Sequence, residues 1–247
     1  VLAFIVLFLA SLWAGAQNAL AGGGSFITLP SLMYTGMDAR AANITSTIAL
    51  FPGQIATGWT GRRHVGGPEG VPLRWLVGLS LLGGACGALL LLLTPATFFA
   101  HLVPWLVLFA TAVFAWGSFG SLQRRVGHLP RRLLLAAQFL IAVYGGYFGG
   151  GIGFLMLAAL TAAGMLIRGA GATKNVLAAV MNASAVGIFL FSPQLRWFQA
   201  LISAAGALIG GMLGGVLLNR VDDRPLRWLI ILIGLGLTIG LFLHAPS

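Results

Sequence analysis

The chain alternates long apolar runs with short polar breaks, and the runs fall into ten segments. They cover residues 1–21, 25–36, 41–61, 72–94 and 98–120, then 131–148, 152–167, 171–191, 197–218 and 225–244. Several approach the roughly 20 residues a helix needs to cross a hydrocarbon core of about 30 Å. The runs lack the polar-inward alternation of β-barrel strands. The second and seventh segments are shorter and would reach only about 18 to 24 Å at 1.5 Å per residue. A glycine triplet stands before each of them. Short, Gly-interrupted segments at matching places in two halves point to a transport site near the midplane.

The polar breaks also repeat. Gly22-Gly23-Gly24-Ser25-Phe26-Ile27 recurs as Gly149-Gly150-Gly151-Ile152-Gly153-Phe154, Ala41-Ala42-Asn43 as Thr173-Lys174-Asn175, and Leu73-Arg74-Trp75 as Leu195-Arg196-Trp197. Three matches in the same order indicate a duplication. Residues 1–122 form the first transmembrane repeat and 131–247 the second, joined by a basic linker at 123–130. The first run is too long for a signal-peptide core and has no cationic start, so it reads as structure. The predicted fold is an all-α integral membrane protein of two repeats, about five helical segments each.

Charge changes the picture by setting topology. Only 7% of residues are charged, against about 25% in a soluble domain, so there is no material for a water-facing shell. The formal charge of +10 does not mark a nucleic-acid binder, because the cations flank the spans and no basic face is interleaved with aromatics. If each half makes an even number of crossings, the 14 Lys and Arg residues divide almost evenly between the two sides. If each makes an odd number, Arg40 and Arg196 share one side and the remaining twelve (14 minus 2) share the other. Cytoplasmic connections carry the Lys/Arg excess, so odd crossings are expected. The halves are then inverted repeats in a bacterial-type inner membrane, with the central loop cytoplasmic and both termini opposite. Two full crossings or one re-entrant hairpin at the start of each half share this parity; the short segments favour the hairpin.

The candidate chemistry lies at the glycine breaks. Lipid satisfies no backbone N–H or C=O, so a helix broken at depth must face protein or a polar cavity. Helix N-termini bind anions through unpaired N–H groups. This places Gly22, Gly23, Gly24 and Ser25, and Gly149, Gly150, Gly151 and Gly153, around a substrate anion, with Ser25 a candidate helix cap. Gln17, Asn18, Tyr144 and Tyr147 flank the triplets. Asn43, Thr45 and Ser46 open the third segment and Lys174 and Asn175 the eighth; all offer donors to an oxyanion. Two blander roles compete: back-bonding to the preceding helix turn for Thr45 to Thr47, and a topology charge for Lys174. Gly83 to Gly87 and Gly206 to Gly215 read as helix-packing glycines.

These motifs resemble a known family. Gly22-Gly23-Gly24-Ser25 with Pro30, then Arg40-Ala41-Ala42-Asn43 and Thr45-Ser46, is similar to the first signature of the TauE/SafE sulfite and organosulfonate exporters. Tyr144-Gly145-Gly146-Tyr147-Phe148-Gly149-Gly150-Gly151-Ile152-Gly153 with Ala172-Thr173-Lys174-Asn175 is similar to the second. The resemblance covers essentially the whole chain. It implies transport of small inorganic or organic sulfur oxyanions, usually outward. Ile152 stands where the first half has Ser25, so the two sites are chemically unequal.

Competing classes are weaker. An intramembrane enzyme needs a nucleophile with a base or a metal cluster. The four acids, Asp38, Glu69, Asp222 and Asp223, sit in or beside loops, and the four histidines have no ligand spacing. No metal, cofactor or nucleic acid is called for, and a homo-oligomer is left open. A channel or a cation-coupled importer is the alternative within transport.

Overall fold

The computed structural model describes residues 2–20, 23–60, 62–119, 129–217 and 223–243. Among these the regular structure is helical: α1 (Leu2–Leu20), α2 (Ser25–Tyr34), α3 (Ala39–Thr60), α4 (Leu73–Leu93), α5 (Ala96–Phe119), α6 (Arg131–Tyr147), α7 (Ile152–Ala162), α8 (Ile167–Phe189), α9 (Trp197–Leu217) and α10 (Asp223–Leu243). A 3-10 turn follows α3 at Arg62–His64. Of the basic linker, only residues 129 and 130 are described.

The burial pattern is that of a protein solvated by lipid. Leu93, Phe191 and Trp59 are largely exposed, whereas Gln138, Ser80 and Thr173 are fully buried. An apolar exterior around a polar interior is stable only where the surroundings are apolar. Among the described residues three helices, 73–93, 96–118 and 167–189, are long and apolar enough by themselves to cross a membrane.

The short helices turn back. Leu129, just before α6, donates its N–H to the carbonyl of Ala162 at the last turn of α7 (2.8 Å). The α6–α7 pair is therefore a hairpin that ends where it began. In the first half, Gly24 lies against the Ala14 carbonyl and Asn18, so α2 folds back along α1. Phe4 stacks edge-on with Phe198 at the start of α9 (5.0 Å). Arg40, just past α2, reaches the carbonyls of Leu92 and Thr94 and shares a cleft with Ser192 and Gln194. The start of α1 and the end of α2 thus share one end of the bundle with the connections 94–95 and 190–196. The other end collects the α3–α4 connection, where Thr173 exchanges hydrogen bonds with Gly66 (2.9 and 3.1 Å). Asp38 starts α3 by accepting from the N–H groups of Arg40 and Ala41 (3.0 Å each).

Glycines set the packing between halves. α1 packs on α9, and α6 packs on α4. A Cβ on Gly83 would fall 2.8 Å from the Phe139 carbonyl oxygen, and one on Gly206 would fall 2.6 Å from that of Phe8. One turn on, Gly87 meets the Val143 carbonyl and Gly210 that of Leu12. Gly146 meets Gly84, and Gly15 meets Ala207. Each contact in one pair has its counterpart in the other, and residue numbers rise together on both helices, so each pair runs parallel. Backbone approach this close needs residues without side chains, the role expected for these glycines.

Candidate functional site

The hairpin turns meet against α3 and α8 and line a partly open cavity of about 80 Å³, large enough for a small oxyanion or several waters. α3 offers Ser46, Leu50 and Gln54, and α8 offers Lys174, Ala178 and Asn182. Residues four apart share a helix face, so each helix presents one stripe. The stripes are joined where Asn182 Nδ2 donates to Gln54 Oε1 (2.5 Å).

The second turn contributes Phe148, Gly149, Gly151, Ile152, Gly153 and Phe154. Gly149 and Gly151 have φ of +85° and +73°, a region that side-chain-bearing residues rarely occupy. Gly151 is the residue before α7. Phe154 and Leu155 donate back to the Gly151 carbonyl (3.1 and 3.5 Å), whereas the N–H groups of Gly150, Gly151, Ile152 and Gly153 meet no acceptor among the described residues. The first turn contributes Gly23 and Ser25, beside Asn18 of α1.

Lys174 supplies the charge. Its Nζ would lie 3.5 Å from a Cβ on Gly153, at the positive end of α7. Among the described residues it is the one ionisable side chain lining the cavity, and it forms no hydrogen bond or ion pair with them. Asp38 is spent as the α3 cap, and Glu69 is exposed in the α3–α4 connection. The described residues hold no cluster of potential metal ligands.

Of the residues singled out from the sequence, Asn18, Gly23, Ser25, Ser46, Gly149, Gly151, Gly153, Lys174 and Asn175 line the cavity. Gly22 lies outside the described residues. The others lie elsewhere. Gln17 is buried and donates to the Gly23 carbonyl (3.1 Å), bracing the turn from behind. Gly24 packs on α1, and Gly150 on Phe148 and Ala110 of α5. Asn43 donates to the Tyr147 carbonyl (3.0 Å) and so clamps the end of α6. Thr45 is fully buried away from the cavity. Tyr144 stacks on Phe109 (5.5 Å), and Tyr147 stacks on Phe99 and reaches Thr94. Ser25 is not a cap: it is the first residue of α2, and no side chain caps that helix. Gln54, Leu50, Phe148 and Phe154 also line the cavity, beyond the residues the sequence singles out. The four-residue stripe through Ser46, Leu50 and Gln54 was the available signal.

A family model described as "Sulfite exporter TauE/SafE" matches residues 7–241. The chain belongs to the TauE/SafE family. Similar relatives are a "Probable membrane transporter protein ORF9" of Sinorhizobium (29% identical, covering 95% of this chain and 90% of the relative) and a "Probable membrane transporter protein" of Haemophilus influenzae (28%; 94% and 92%). A third is the "Probable membrane transporter protein YfcA" of Escherichia coli K12 (28%; 92% and 85%). No solved structure matches the chain significantly. Membership makes this TauE/SafE protein a membrane transporter.

Proposed function

We propose that this protein carries small sulfur-containing oxyanions, such as sulfite or a sulfonate, outward across a bacterial inner membrane. The anion sits between Lys174, Asn175 and the N–H groups that open α7, with Ser25 and Gly23 opposite. The observation that carries this reading is the Lys174 ammonium, which faces a cavity that has no carboxylate and in which a helix N-terminus adds charge of the same sign. Hydrogen bonds to charged acceptors are the strong ones, and oxygen atoms around a central sulfur suit N–H groups that diverge from one turn.

The halves act as inverted repeats whose hairpins enter the membrane from opposite faces. What supports this is the return of each hairpin to its own end and the matched glycine contacts. The end that carries Arg62, Arg63, Arg74, Arg131 and Arg132 is cytoplasmic, because Lys/Arg-rich connections stay inside. A potential negative inside drives anions out: each charge crossing about 100 mV releases about 2.3 kcal/mol, roughly a 50-fold gradient.

Flux through proteoliposomes tests the reading. Sulfite, a sulfonate, sulfate, phosphate and a carboxylate should be compared at fixed potential. Saturable flux that favours the sulfur oxyanions is expected; flux that favours the carboxylate, or that never saturates, contradicts it.

A further inference from the structure

Moving a site across a membrane by closing first one side of it and then the other requires a stage in which both sides are closed. Here that stage would enclose Lys174. Hydrogen bonds already flank the cavity along both helices. Toward one end, Asn43 holds the Tyr147 carbonyl, and Ser46 meets Thr28 (2.5 Å). Toward the other, Thr173 is tied to Gly66, and Gly58 packs on the backbone of α8 at Asn175 and Val176. Between them the cavity offers an ammonium hydroxyls, amides and apolar groups. No acid faces Lys174 from α1, α2, α3, α7 or α8. The N-terminus of α7 beside it has the same sign as the ammonium. A charge enclosed without a partner is strongly disfavoured, and an anion in the cavity removes that penalty.

We infer that the protein is an anion exchanger: Lys174 lets the closed stage form readily only around an anion, so each outward passage is followed by the inward passage of another. This rests on the cavity being the transport site. The returning anion must accept hydrogen bonds at the same cavity, as a second oxyanion or a halide can. Exchange keeps an electrical drive only where the outgoing anion carries more charge than the incoming one. A divalent anion moving out against a monovalent anion moving in carries one net negative charge outward. The first half has no second lysine to share this role, because Ala42, fully buried, stands where the second half has Lys174.

The test uses purified protein in vesicles loaded with radiolabelled sulfite, with the potential clamped by potassium and valinomycin. Efflux into a medium holding unlabelled sulfite or chloride should be about tenfold or more faster than into one whose only anion is gluconate. Lys174→Gln, checked for folding by thermal unfolding, with Lys174→Met as a second variant, should bring the ratio of the two rates toward one, at whatever overall rate the weakened site supports. Equal rates in the unaltered protein overturn the inference, as does a gap that survives both variants. Efflux into gluconate that is as fast as exchange and carries a proton with each anion also overturns it, since the lysine would then return uncharged. Absence of labelled efflux under every condition removes the transport reading itself.

Discussion

Asn43 and Asn175 hold matching places in the two halves, yet only Asn175 lines the cavity. The reason lies in what each would meet. α6 ends at Tyr147, whose carbonyl is free to accept from Asn43. By the matched glycine contacts, the first-half counterpart of Tyr147 is Ala16, which sits inside α1 because that helix runs on to Leu20. A mid-helix carbonyl is already used by its own ladder, and Asn175 lines the cavity instead. Sequence matching named both asparagines as ligands because it sees spacing and not the free end of a neighbouring helix. Their variants should therefore differ. Asn175→Ala should weaken anion binding by about 1 to 3 kcal/mol, roughly 5- to 150-fold, at nearly unchanged thermal stability. Asn43→Ala should mainly lower the unfolding temperature, because it strands a buried carbonyl at a cost of about 1 to 3 kcal/mol. Binding isotherms and thermal melts on the same samples separate the two. Lys174→Gln should raise the apparent substrate constant, with a larger effect at low ionic strength if the ammonium also draws anions from solution.

Elements were more legible than side chains. Each sequence segment has a helix within a few residues of it, because unbroken apolar length and glycine breaks are written directly in the chain. Which side chains face the cavity was harder: Tyr144 and Tyr147 lie beside the triplet in sequence, but the helix turn directs them onto Phe109 and Phe99. The parallel pairs α1–α9 and α4–α6 depend on glycine, which gives a sharp contrast among substitutions. Gly87→Leu or Gly210→Leu places a side chain against an opposing carbonyl, whereas a Cβ on Gly78, also in α4, meets nothing within 4 Å. Overpacking costs about 1 to 3 kcal/mol or more. The first two variants should lose several degrees of thermal stability in detergent and Gly78→Leu almost none; equal losses would argue against the glycine-paired packing.

For the whole molecule, the twelve-to-two division of cations predicts that the α3–α4 connection is cytoplasmic and the α8–α9 connection is not. In a Cys86→Ser background, an impermeant thiol reagent applied to intact cells should label Pro193→Cys and spare Glu69→Cys, both exposed positions; the reverse pattern would invert the topology. Export and exchange both depend on where the anion sits, and selenite, an analogue of sulfite with a strong anomalous signal, locates it directly. In crystals of the protein soaked with selenite, one dominant anomalous peak is expected within hydrogen-bond reach of Lys174 Nζ and the N–H groups of Gly151 to Gly153, with clearly lower occupancy in Lys174→Gln. A dominant peak elsewhere, or one at the same place that keeps its full occupancy in that variant, would contradict it.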